Sequence, residues 1–148
     1  MNQELKEIMK DIKIHEGFKP KVYKCTEGYD TIGYGFAIKD LIIDEDVADL
    51  ILMKKLFILL ERIHIAFAWF KEIDDKAKGV VVNMCYQIGL RGFSKFKKTI
   101  YYLETQQYEE AADEMLDSLW AKQTPNRANQ LSDIIRSISW FLFFVKIS

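Results

Sequence analysis

Cysteine and proline are scarce in this chain, with two of each in 148 residues. Cys25 and Cys85 lie far apart without CxxC or zinc-type spacing, so neither a disulfide framework nor a metal site is implied. Two free thiols, made in a reducing cytosol, are expected. His15 and His64 are read as structural. An excess of one charge is also missing. Twenty-one Lys and Arg against 22 Asp and Glu leave a net charge of -1, so the overall field gives no reason to expect nucleic acid or another polyanion as partner. A case for one must rest on local charge. Met1 to Asp11 is polar and periodic and lacks the apolar segment of a signal peptide, so the product is expected to start in the cytosol.

What remains is 49% apolar and 29% charged, the composition of a globular, helix-rich protein. The length suits one domain, or two small lobes sharing a helix. Leu5, Ile8, Met9 and Ile12 recur at helical spacing, and Gly17 and Pro20 end that helix. Val22 to Tyr34, with Gly28, Gly33 and Gly35, carries the one strand signal and predicts a small irregular sheet. Asp44 is placed to cap a long helix. Its pattern thickens into Leu56 to Phe70, apolar on nearly every side, which predicts a buried core helix. A bilayer span needs about 20 apolar residues, and Glu61, Arg62 and His64 interrupt this run. Asp74 or Asp75 opens a further helix that ends at Gly89, and another begins near Ser94. Tyr108 to Trp120 is amphipathic, with Ala111, Ala112, Met115, Leu116 and Leu119 available for a core. Thr124-Pro125 is a strong helix start. The closing apolar run, Trp140 to Val145, is expected to pack on the core. Contact with a membrane surface is the alternative.

The chemistry points to Glu16 to Phe36, EGFKPKVYKCTEGYDTIGYGF. A carboxylate at a helix end, with Cys25 and Thr31 on a small sheet, can direct three reactive side chains at one place. Lys19, Lys21 and Lys24 add local positive charge.

Read together, three motifs carry a resemblance. Glu16, Cys25 and Thr31 in the stretch above, Asn83-Met84-Cys85-Tyr86-Gln87-Ile88-Gly89, and Trp120 followed by Gln123-Thr124-Pro125-Asn126-Arg127-Ala128 stand in an order that resembles the phage lysozyme family. The likeness is to its compact branch, with cysteine at the middle position of a Glu-Asp/Cys-Thr triad. It implies a mostly helical α+β, two-lobed lysozyme-like fold over residues 1–148. A sheet-bearing lobe would occupy about 15–45, a long connecting helix about 44–70, and a helical lobe about 71–148 together with helix 1–14. The activity implied is a muramidase, a glycosidase cleaving the β-1,4 bond between N-acetylmuramic acid and N-acetylglucosamine in bacterial peptidoglycan. A phage-type enzyme of this kind would wait in the host cytoplasm and act once the membrane is opened. No cofactor, metal, nucleic acid or stable membrane insertion is implied, and a monomer is expected.

Within that likeness each residue has a task. Glu16 is the candidate general acid, and apolar neighbours such as Phe18 would keep it protonated by desolvation. Arg127 resembles the arginine that pairs with the catalytic glutamate. Cys25 has an ordinary pKa of about 8.5, which Lys24 next door would lower; as a thiolate it would act as base or nucleophile, and as a thiol it would only help to place a water that Thr31 also holds. Tyr86 and Gln87 suit a sugar face and an N-acetyl group. A non-catalytic wall-binding protein, a lytic transglycosylase, and membrane disruption through the apolar C-terminus are the competing readings.

Overall fold

A computed structural model describes residues 2–147, with side chains through Ser139. The chain divides into two units, Met1–Asp49 and Leu50–Ser148.

The first unit opens with α1, Gln3–Glu16. Asn2 caps it through a bond from Leu5 N, and Gly17, at φ 65°, ends it by donating to Lys13 O. Inside its unit the apolar stripe of α1 finds little cover, and Leu5, Ile8 and Ile12 are about half exposed. Next comes an antiparallel sheet, β1 (Lys19–Lys24), β2 (Asp30–Gly33) and β3 (Phe36–Ala37), in chain order. A bulge between Lys19 and Tyr23 shifts the β1–β2 register, and Pro20 sits on this edge strand, where its missing N–H removes no ladder bond.

Asp44 caps α2, Glu45–Ala66, by accepting from Val47 N, as its position predicts. The apolar run beyond it departs from expectation. Helix ends at Ala66 instead of continuing to Phe70, and a short 3₁₀ stretch follows over Ala68–Glu72. The cause is aromatic packing. Phe67 takes an extended backbone and sets its ring 5.3 Å from Trp69 and 5.6 Å, edge on, from Phe93. Nor is α2 a buried helix: Ile63 is its one buried side chain, and Phe57 and Ile58 are exposed. Among the described residues no helix is long and apolar enough to cross a membrane.

The rest of the second unit is helical: α3 (Asp75–Phe93), α4 (Lys97–Glu104), α5 (Tyr108–Leu116), α6 (Leu119–Gln123) and α7 (Pro125–Ile147). Its core joins Val80, Val81 and Met84 of α3 to Leu103 of α4, Ala111, Ala112 and Met115 of α5, and Ala128 and Ile135 of α7. Arg136 fastens α7 to α5 by pairing with both Glu109 and Asp113. The predicted single helix from Tyr108 to Trp120 is in fact two. Ser118 breaks it by capping α6, accepting from Ala121 N while donating to Met115 O. The break turns Leu119 outward, 69% exposed, so it is not the core residue its spacing suggested. Packing of the Trp140 to Val145 side chains lies outside the described residues.

Candidate active site

In the first unit a tight loop joins β1 to β2. Cys25 N donates to Tyr29 O at 3.0 Å and Gly28 N to Cys25 O at 2.9 Å, with Gly28 in the left-handed region at φ 84°. This folding brings Cys25 and Thr31 together. Thr31 is nearly fully buried, and its hydroxyl donates to Tyr29 O at 3.1 Å. The same hydroxyl is within reach of the Cys25 thiol, and since it has one proton the two bonds are alternatives.

Partial desolvation pushes the Cys25 thiol up, but bonds from the backbone N–H groups of Glu27 and Tyr29 and from the Thr31 hydroxyl outweigh it, and the net pKa lies below the ordinary value. Lys24, expected to do this, does not contribute. Its ammonium is committed to Asp30 at 2.9 Å across the strand pair, an exposed ion pair.

Glu16 ends α1 with its carboxylate against the β2–β3 turn. At Gly35, φ 77°, a Cβ would stand 2.6 Å from Glu16 Oε2, so the absence of a side chain there is what admits the carboxylate. Sequence reading missed this role, for which the only signal was a glycine in the TIGYGF run. Within the first unit Phe18 does not wall off the carboxylate: Glu16 is exposed, and the Phe18 ring packs on Tyr34 at 5.4 Å.

In the second unit the other two motifs meet. The indole N–H of buried Trp120 donates to Gln87 Oε1 at 2.9 Å, and Trp120 O accepts from both the backbone N–H and the hydroxyl of Thr124, which fixes the start of α7. A buried indole needs an acceptor, and that requirement is the sequence signal for the pair. Gln87 therefore has its carbonyl occupied and its two N–H donors left for another group. Its neighbour Tyr86 is exposed; Arg127, in the first turn of α7, is half-buried. Gly89, at φ 75°, kinks α3 just past these residues. Within their own units neither Glu16 nor Arg127 has an ion-pair partner among the described residues.

The phage lysozyme family profile matches residues 13–135, which takes in all three motifs. The chain belongs to the phage lysozyme family. Membership makes it a lysozyme-like peptidoglycan hydrolase, and the helical α+β fold agrees. Among its relatives are two proteins of Dictyostelium discoideum. Probable T4-type lysozyme 1 is 28% identical over 155 residues, covering 85% of this chain and 91% of that protein. Probable T4-type lysozyme 2 is 27% identical with the same coverage. The pre-baseplate central spike protein Gp5 of Enterobacteria phage T4 is 28% identical over 153 residues, which is 81% of this chain but 26% of the spike protein.

Proposed function

We propose that this lysozyme-family chain is a muramidase cleaving the β-1,4 bond between N-acetylmuramic acid and N-acetylglucosamine. Glu16 protonates the departing glycosidic oxygen. Cys25 and Thr31 hold a water and draw its proton as it attacks the sugar, which inverts the anomeric centre. The observation that supports this is the Cys25–Thr31 pair. A thiol with a lowered pKa beside a buried hydroxyl, on the same unit as Glu16, is an arrangement suited to activating water. Tyr86, Gln87 and Arg127 bind substrate. The free Gln87 N–H groups fit the carbonyl of an N-acetyl group, and Tyr86 offers its ring to a sugar face. The biological setting of this reading is lysis of the bacterial cell from within the host cytoplasm, after the membrane has been opened.

Digestion of purified walls by wild type, Glu16→Gln and Cys25→Ala tests it, with the anomeric form of the products followed by NMR. Glu16→Gln should lower the rate about 10²- to 10⁴-fold, the usual contribution of a general acid. The initial product should be the α anomer. Full activity of Glu16→Gln removes the acid assignment, a β product removes inversion, and anhydro-muramyl ends indicate a transglycosylase.

A further inference from the structure

The overall charge of -1 conceals a local row of cations. Lys6, Lys10 and Lys13 stand at i, i+4 and i+7 on α1, a spacing that brings them to one face and spreads them over about 10 Å of helix. All three are exposed, and none has an ion-pair partner among the described residues. The acids interspersed with them, Glu4, Glu7 and Asp11, pair with none of the three among the described residues, and Glu7 accepts from Gln3. Beside the row, wholly within the first unit, is a cavity of about 550 Å³ lined by the three lysines and by Met9, Ile14, Phe18 and Tyr34. The Tyr34 ring is fixed between Phe18 and the Lys13 ammonium, which lies 5.4 Å from its centroid.

A single small anion does not need three ammonium groups in line. A flat bilayer does not fill a concavity. A flexible chain of anions separated by short carbon segments does both, with its charges on the lysines and its carbon segments on the apolar floor. We propose that this groove is a docking site, apart from Glu16, Cys25 and Thr31, for a phosphodiester polymer of the poly(glycerol phosphate) type, which some bacterial walls carry alongside peptidoglycan. The choice of polymer rests on the wall being where the enzyme acts. Docking would hold the enzyme on the wall between cleavage events and make up for the steering that its near-neutral net charge does not supply.

The test is binding of the full chain to soluble poly(glycerol phosphate), with neutral dextran as control, at low and high salt. Wild type should bind the polymer and not dextran. The triple variant K6Q/K10Q/K13Q should bind at least about tenfold more weakly and with a flatter salt dependence, whereas K6R/K10R/K13R should stay within about threefold of wild type. Should the triple glutamine variant lose helical circular dichroism, the single variant Lys10→Gln carries the test, with a loss of about twofold or more expected. The proposal is overturned if wild type prefers dextran or binds neither, if the glutamine variants bind like wild type, or if phosphatidylglycerol vesicles show the lysine-dependent binding and the polymer does not. All variants should retain wild-type turnover on soluble glycan strands free of the polymer. Polymer binding without hydrolysis by wild type would sink the muramidase reading and leave the docking site standing.

Discussion

In the second unit buried apolar side chains run from Ile63 to Ile138 and form one cluster drawn from the 3₁₀ stretch and every helix. In the first unit Thr31 and Gly33 alone are buried among the described residues, and the sheet is held by its short ladder, its glycine turns and the rings of Phe18, Tyr34 and Phe36. A buried cluster of that size gives the helical unit a core of its own, whereas the sheet unit depends on backbone geometry. The candidate catalytic residues stand on the thinly buried unit. Stability and activity should therefore respond to different substitutions.

The largest effect on stability should come from Phe93→Ala. Its fully buried ring touches Phe67 and Phe96, and its loss should cost about 3–5 kcal/mol in urea unfolding, with the specific activity of the folded fraction retained. Alkaline pH should also act on the helical unit. Burial pushes the Cys85 thiol from 9.0 up to about 12, so the unfolded chain gives up this proton first. The contribution is complete below pH 9.0 and is lost as pH rises toward about 12. Melting curves of Cys85→Ala should lack that part of the decline. They should keep the slope from Tyr108, whose phenol burial also raises.

On the sheet unit the expected pattern reverses. Gly35→Ala places a Cβ against the Glu16 carboxylate at a left-handed backbone position, so it should cost about 1–2 kcal/mol yet lower wall hydrolysis by roughly tenfold. An unchanged rate would show that Glu16 need not sit where Gly35 admits it. The smallest effect should follow Thr31→Val. Without the hydroxyl, the pH midpoint of Cys25 alkylation, measured in a Cys85→Ala background, should move up from its lowered wild-type position while the melting temperature stays nearly constant. A midpoint that does not move would remove Thr31 from the thiol's surroundings.

The elements that sequence reading located are those fixed by neighbours in the chain. Asp44 and Asp74 start helices, and Gly17 ends one, through bonds spanning a few residues, and Pro125 opens another through its fixed φ. The Cys25–Thr31 pair was legible for the same reason, because the short loop from Cys25 to Tyr29 sets it. Features decided at a distance were not. The all-round apolar surface of Leu56 to Phe70 could not indicate which side would be covered, and its break at Phe67 depends on Phe93, far along the chain. The Trp120–Gln87 bond joins two motifs that the sequence presents as separate. Ser118 is the counterexample: its capping signal was available locally, but the amphipathic pattern running across it concealed it.

The loop around Cys25 separates proton chemistry from architecture. If the Thr31 hydroxyl turns toward a thiolate it releases the Tyr29 carbonyl, but that carbonyl still accepts from Cys25 N, and Gly28 N still closes the loop on Cys25 O. The sulfur can gain or lose a proton while the strands keep their pairing. A charge can thus come and go at this point in a reaction cycle without any refolding of the sheet that carries it.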